Sequence, residues 1–329
     1  MSDRPCVLVF SGADPSGGAG MAADIQAISA MGAHALPVLT AITVQDNNRV
    51  HAVLPVAPEV LLQQARTLLA QVPVAAVKIG IPGSAENAQA IAILLGELRA
   101  THRAAAGAAP GWAHRLYSDP PVVLDPVLRS GHGDALGRDD AVQALAPLLP
   151  LATLVTPNGP EAAALAGAAG APGALARPYG DGDGAAAARG SLAGVGAAGG
   201  LSFGDAGPVA GLASGVPPAW HGTPHGAALA HARALRAMGC AHVLVTGGHE
   251  EGTDVVVNRW LGPDRQQNWS WPRLPGSFHG SGCTLAAATA ALLAQGNSMA
   301  QALAKAQGYT QRALAASYAI APGQRIPQR

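Results

Sequence analysis

The sequence predicts an α/β fold with a central, mostly parallel sheet and helices on both faces, and three observations carry that expectation. Short strand-like apolar runs alternate with longer segments of helical periodicity. Several of the runs empty directly into glycines or into Asp and Asn turns, as strands do where a parallel sheet hands the chain to a helix. Finally, 49% of the 329 residues are hydrophobic but only 4% aromatic, so a large core is available and must be built from Ala, Val, Leu and Ile.

In chain order, Cys6–Phe10 reads as the first strand and Met21–Met31 as a helix stopped by Gly32, with the glycine-rich loop Ser11–Gly20 between them. Ala35–Thr40 reads as a strand, Pro58–Gln71 as a helix, Val74–Ile79 as a strand and Ser84–Arg103 as a long Ala/Leu helix. Two buried-type strands follow, Pro121–Leu124 ending at Asp125 and Leu151–Val155 ending at Thr156-Pro157-Asn158. After a helix at Gly226–Met238 come the strand His242–Thr246 and the strand-like runs Asp254–Trp260 and Gln267–Trp271. The run His279-Gly280-Ser281-Gly282-Cys283 opens a helix to Gln295, and a last helix spans Ser298–Tyr318. Within this single domain, Gly167–Thr223 breaks the pattern: Ala and Gly fill 32 of its 57 positions, and Lys and Glu are absent. Such a composition offers little apolar surface against the entropy of ordering, and is expected to form a surface insertion. A shorter one is expected at Ala104–Ser118.

The totals exclude several functions. Twenty basic and twenty acidic side chains give zero formal net charge, which draws in neither nucleic acid nor anionic lipid. No apolar run reaches the roughly 18 residues of a membrane span. The N-terminal residues lack the basic region and cleavage site of a signal peptide. Three cysteines, Cys6, Cys240 and Cys283, have neither metal-ligand spacing nor the number of a disulfide framework, which fits a reducing cytoplasm.

Four segments carry chemistry. In Gly280-Ser281-Gly282-Cys283, two glycines let successive backbone N–H groups gather at a helix start, where the partial positive charge favours an anion. A Cys283 thiolate would be favoured at such a position, ready to take a proton from an attacking alcohol; the plainer alternative is a small cysteine packed at a helix end. The loop Ser11–Gly20 lacks both Rossmann and Walker A spacing, and suits either a ligand resting on backbone or a tight turn. Asn158 and Glu161 have the spacing of a capping box and also form an oxygen-rich pair suited to Mg²⁺ held through water and phosphate; both can hold together. Asp125 joins the cluster or serves as a turn residue. Thr246-Gly247-Gly248-His249 again empties a strand into glycines.

Taken together and in this order, these segments resemble the hydroxymethylpyrimidine/phosphomethylpyrimidine kinase family of the ribokinase-like superfamily. The resemblance rests on Ser11–Val50 almost throughout, on Val77-Lys78-Ile79-Gly80, Val123–Val127, Thr156–Glu161, Gly247-Gly248-His249 and His279–Thr284. It implies a three-layer ribokinase-like fold, usually a homodimer. It also implies ATP- and Mg²⁺-dependent phosphorylation of 4-amino-5-hydroxymethyl-2-methylpyrimidine and then of its monophosphate, for thiamin. Carried over, Gln45 and Asp24 face the pyrimidine, with the backbone of Gly12, Gly20 and Gly80 lining the same pocket. Cys283 sits opposite the hydroxymethyl oxygen, while Gly280, Ser281 and Gly282 cradle the transferring phosphoryl group. Asp125, Asn158 and Glu161 hold Mg²⁺ and its waters, and Thr246, Gly247 and Gly248 lie along the nucleotide. The chain departs from the family at Thr246, where Lys is usual, and at Ser277-Phe278, which stand for Asn-Thr. Two other readings remain, a pyridoxal kinase and a non-catalytic pyrimidine-binding regulator.

Overall fold

A computed structural model describes residues 4–108, 119–169, 223–250 and 252–329. Nearly all of the Gly/Ala-rich insertion and most of the shorter one therefore lie outside the described residues.

Nine strands form one sheet: β1 Cys6–Ala13, β2 His34–Gln45, β3 Val50–Pro55, β4 Ala76–Ile79, β5 Val122–Leu124, β6 Leu154–Val155, β7 His242–Val245, β8 Val255–Leu261 and β9 Gln266–Pro272. Their spatial order is β3-β2-β1-β4-β5-β6-β7-β8-β9. The six from β2 to β7 are parallel, and β3, β8 and β9 add antiparallel edges. The order reverses between β1 and β4, so a crevice opens where these strands end.

The helices are α1 Gly20–Ala30, α2 Pro58–Leu69, α3 Ala85–Ala108, α4 Ala141–Leu145, α5 Gly159–Ala169, α6 Thr223–Ala237, α7 Ser281–Ala294 and α8 Met299–Ala315. Strand alternation sorts them into two layers. Leu8 and Phe10 of β1 point into a core shared with Leu61, Ile91, Leu165 and Leu235, on α2, α3, α5 and α6. Val7 and Val9 point the other way, toward Ile28, Ala287, Ala291 and Leu303, on α1, α7 and α8. Ala286–Ala288, Ala290 and Ala291 are wholly buried. Their small side chains let α7 lie close over β1, β4 and β5, which carries its N-terminus to the strand ends.

The bounds of several expected strands differ, β1 running on to Ala13 and β4 starting only at Ala76, and two of the differences have a local cause. The second strand runs on to Gln45 because Ile42 and Val44 pair with Leu54 and Ala52 of β3, a ribbon that extends past the sheet. The run Leu151–Val155 contributes only Leu154 and Val155, since Leu149–Leu151 form a 3-10 turn with Pro150 in it.

Candidate active site

The parallel strands deliver their carboxyl ends to one edge: Ser11 from β1, Gln45 from β2, Gly80 just past β4, Asp125 past β5, Asn158 past β6 and Thr246 past β7. Together with the start of α7 they enclose one cavity of about 550 Å³. Cys283, the Ser11–Gly20 loop and Gln45, brought from opposite ends of the sequence, share this space.

The two glycine loops lie against each other. Gly20 has φ +56°, and a Cβ there would stand 2.4 Å from the Gly12 carbonyl. Gly280 has φ +76°, and a Cβ there would stand 2.1 Å from the Gly18 carbonyl. A side chain at Gly280 would push the two loops apart, and one at Gly20 would open the first loop against its own Gly12 carbonyl. No side chain caps α7. Its first internal bond is Thr284 N–H to Gly280 O at 3.0 Å, so the N–H groups before it are unused by the helix and available to an anion.

A contact hidden in the sequence joins the loops. Asp14 accepts from Ser16 N–H (2.8 Å), the Ser16 hydroxyl (2.9 Å) and Ala19 N–H (2.7 Å), and its Oδ2 lies 2.9 Å from His279 Nε2. Burial opposes ionisation of Asp14, yet these bonds and the histidine hold its carboxyl well below the usual carboxylate range.

Beneath the loops is a buried charge cluster. Lys78 Nζ donates to Asp24 Oδ2 at 2.9 Å, with both side chains wholly buried, and Ser11 donates to the same oxygen at 2.9 Å. Burial alone would lower the lysine pKa, but Asp24, Cys283 and Asp125 outweigh it and raise it. Lys78 borders the cavity, and a Cβ on Gly80 would come within 2.9 Å of its ammonium. Asp24 itself does not line the cavity: its carboxylate is engaged behind the wall, so it braces Lys78 rather than facing the pyrimidine. The sequence alone assigns Lys78 no role. A lone lysine inside a four-residue apolar strand was the available signal, since lysine is seldom buried without a partner.

The structure also reverses the expectation of a thiolate. Cys283 keeps partial exposure to the cavity, but burial pushes its thiol up to about 12; Lys78 pulls it down, Asp125 and Asp24 push it further up, and a Gly20 backbone bond pulls down slightly. The helix start is outweighed by burial among carboxylates. Asp125 is raised by burial, with Lys78 acting against that, and its Oδ2 has no hydrogen-bond partner.

Asn158 and Glu161 do form the capping box at α5: Asn158 N–H donates to Glu161 Oε2 and Glu161 N–H to Asn158 Oδ1, both at 2.9 Å. Burial pushes Glu161 up to about 7, against the Asn158 backbone bond and with help from Asp125. Among the described residues no three His, Cys, Asp or Glu side chains group as a metal cage. Mg²⁺ takes one or two carboxylates and fills its shell with water and phosphate. The orphaned Asp125 oxygen and the Glu161 carboxyl fit such an ion.

Thr246 N–H donates to Pro157 O at 2.9 Å, which seats β7 beside the Asn158 turn. Thr246 and Gly248 line the cavity, whereas Gly247 faces away: a Cβ there would stand 2.3 Å from Val257 O on β8. Two arginines stand in the same wall. Arg129 donates to Gly133 O at 3.0 Å. Arg273 donates to the carbonyls of Gly248 (3.0 Å), Thr253 (2.8 Å) and Glu250. No spacing in the sequence places either there.

Solved structures share this architecture. Bacillus subtilis pyridoxal kinase, in an ADP complex, superposes with TM-score 0.69 at 21% identity over 99% of this chain and 97% of its own. Phosphomethylpyrimidine kinase from Clostridium difficile superposes at 0.62 with 24% identity, over 93% and 98%. These likenesses define the fold class, a three-layer α/β protein with a mostly parallel sheet and a cavity at the carboxyl ends of its strands. The profile of the family described as phosphomethylpyrimidine kinase matches residues 14–106, 107–174 and 223–327. The hydroxymethylpyrimidine/phosphomethylpyrimidine kinase of Streptomyces coelicolor is 31% identical over 97% of this chain and 92% of its own, and that of Salmonella typhimurium 30% over 97% and 94%. The chain belongs to the phosphomethylpyrimidine kinase family.

Proposed function

We propose that the whole chain acts as one kinase domain that moves the γ-phosphoryl group of ATP onto 4-amino-5-hydroxymethyl-2-methylpyrimidine, and then onto its monophosphate, in thiamin synthesis. The observation that carries this is the single cavity shared by Gln45, the Ser11–Gly20 loop and the Gly280–Cys283 helix start. The Gln45 amide can pair with a ring nitrogen and the exocyclic amine together. Gly12, Gly20 and Gly80 let backbone approach the flat ring. Ser281 and Gly282 N–H groups receive the phosphoryl oxygens.

Transfer through a loose transition state asks mainly for alignment and charge neutralisation. A Cys283 thiol that keeps its proton at neutral pH suits this: its S–H donates to the charge that develops at the transfer point, while the acceptor hydroxyl forms the new O–P bond, ADP leaves, and the hydroxyl proton passes to an oxygen of the transferred phosphoryl group. Bound Mg²⁺ would neutralise charge on the phosphates. Asp125 and Glu161 would hold it, with Asn158 fixing Glu161. Thr246, Gly248 and the Arg273-braced loop would run along the nucleotide, with Gly247 packing that turn onto β8.

The reading includes a homodimer. Ile42 and Leu54, paired across β2 and β3, are 50% and 54% exposed, and Val44 is 49% exposed, a stripe suited to the same stripe of a second copy. It also includes residence in the cytoplasm, which three free cysteines support. No described helix is long and apolar enough to cross a membrane.

The test is ADP release with the aminopyrimidine, its monophosphate and pyridoxal as acceptors, for wild type and Cys283→Ala. Turnover of both pyrimidines, reduced at least roughly 100-fold in the variant, is expected. Preference for pyridoxal would assign the vitamin B6 ring instead, and pyrimidine binding without ADP release would make the protein a regulator.

A further inference from the structure

Arg329 is unused by the proposed chemistry, yet its guanidinium reaches the back of both glycine loops. It donates to Thr284 Oγ1 at 2.7 Å, to Gly18 O, to Gly280 O at 3.4 Å and to Gln26 Oε1 at 3.4 Å. Every one of these partners is a neutral oxygen, and no carboxylate pairs with Arg329 among the described residues. The segment that carries it is laid along the site. Arg325 N–H donates to Ser277 O and His279 N–H to Arg325 O, both at 2.9 Å, and Gln328 N–H donates to Ala313 O at 3.0 Å. Ile326 fills the space over Gly18, where a Cβ would come within 2.6 Å of its Cδ1.

A trans peptide unit is planar, with its carbonyl and its N–H on opposite sides. A donor that holds the carbonyl therefore aims the following N–H away from itself. The Gly18–Ala19 unit behaves this way: its carbonyl meets Arg329, and Ala19 N–H donates to Asp14 at 2.7 Å. In the Gly280–Ser281 unit the carbonyl accepts from Thr284 N–H (3.0 Å) and from the Thr284 hydroxyl (2.8 Å); Arg329 holds that hydroxyl at 2.7 Å and reaches the carbonyl itself at 3.4 Å, so Ser281 N–H, on the opposite side of the plane, is left to the cavity that Ser281 lines. One nitrogen, Nη2, thus reaches a peptide of the acceptor loop and a peptide of the anion-binding turn, while Nε in the same plane holds Thr284 Oγ1, a spread of donors over two fixed nitrogens that a single ammonium nitrogen does not offer.

We infer that Arg329 is a positioning residue for phosphoryl transfer, holding the Gly280–Ser281 peptide in its anion-receiving orientation and in register with the acceptor loop. Its catalytic consequence rests on the kinase reading above; the clamp itself does not. The test uses the full chain with Arg329→Met and Arg329→Lys, read by kinetics, by hydrogen exchange over residues 15–20 and 278–284, and by rescue with ethylguanidinium. Arg329→Met should lower kcat by roughly 30- to 100-fold, the scale of about an ångström of misplacement, with both KM values within about threefold of wild type. Exchange in both segments should quicken. Arg329→Lys should recover little, whereas millimolar ethylguanidinium should restore part of the turnover of Arg329→Met. If Arg329→Met does not fold, Arg329→Lys carries the same measurements. Unchanged exchange, kcat within about threefold of wild type, or a loss that ethylguanidinium leaves untouched would each overturn the clamp. A wild type that releases no ADP with pyrimidines while the variants still exchange faster would sink the kinase reading and leave the clamp standing.

Discussion

The two ends of the cavity are held by different means. At the acceptor end the braces are charged side chains inside the protein: the wholly buried Lys78–Asp24 pair, and Asp14 gathering Ser16, Ala19 and His279. At the nucleotide end Gly248 and His249 are exposed; the turn is gripped from outside by Arg273 on main-chain carbonyls, and its charged anchor is the half-buried Glu250 on Arg259 at 2.6 Å. Wholly buried charges in low dielectric tolerate little change of geometry, whereas exposed turn residues tied through main-chain carbonyls and a partly solvated carboxylate can adjust. Under the proposed function, the acceptor end would suit a fixed ring, and the nucleotide end a ligand that supplies much of its own charge and shape. Substitutions should follow the same division, with losses of stability at one end and of affinity at the other.

The largest effect is expected at Lys78. Lys78→Met leaves Asp24 buried and unpaired, and loss of one partner of a buried pair costs about 3–5 kcal/mol. Chemical denaturation should show this, and the double variant Lys78→Met/Asp24→Asn should recover a substantial part by removing the stranded charge. Lys78→Met as stable as wild type would mean that the cluster is not the acceptor end's brace.

How far sequence reaches follows the same line. The parallel strands and their glycine exits were legible because apolar runs and turn residues are local signals. So were the Asn158–Glu161 box and the common cavity of the Ser11–Gly20 and Gly280–Cys283 loops, the second through family resemblance. Strand β3 was not legible: no residue of it is buried, so its side chains show none of the alternation a half-buried strand imprints. Nor were the Asp14–His279 contact, spanning 265 positions, or the place of Arg273, because neither end of a long-range contact marks the other. The Cys283 thiolate was misjudged for a related reason. Its helix start is local and visible, but the burial and the carboxylates that outweigh it come from elsewhere in the chain, Asp125 beyond β5 and Asp24 on α1.

A middle-sized effect is expected in pH dependence at Glu161. Its folded pKa, about 7, lies above the unfolded value of about 4.3. The folded state thus binds the proton more tightly, so stability from this group is lost as pH rises from about 4.3 to about 7. Below about pH 7 the proton competes with the metal. The Mg²⁺ concentration for half-maximal turnover should therefore rise by up to about tenfold for each unit that pH falls below that point. Glu161→Gln should need more Mg²⁺ at every pH and lose that slope. A slope that persists in Glu161→Gln would assign it to Asp125, whose pKa burial also raises.

The smallest effect is expected at Thr246, where the family commonly places Lys. Thr246 ties to the neighbouring turn through its backbone N–H, and its hydroxyl adds only a 3.5 Å contact to Pro157 O. Thr246→Lys should therefore keep the turn and add a partly exposed ammonium beside the phosphates. A partly solvated ion pair is worth up to about 1 kcal/mol, so KM for ATP should fall by about fivefold with kcat nearly unchanged. If KM does not move, the missing charge is already supplied from the same wall. Arg273→Met and Arg129→Met, each made with and without Thr246→Lys, would then separate the two sources: the arginine whose loss lets the introduced ammonium lower KM is the one that took over the family lysine's place.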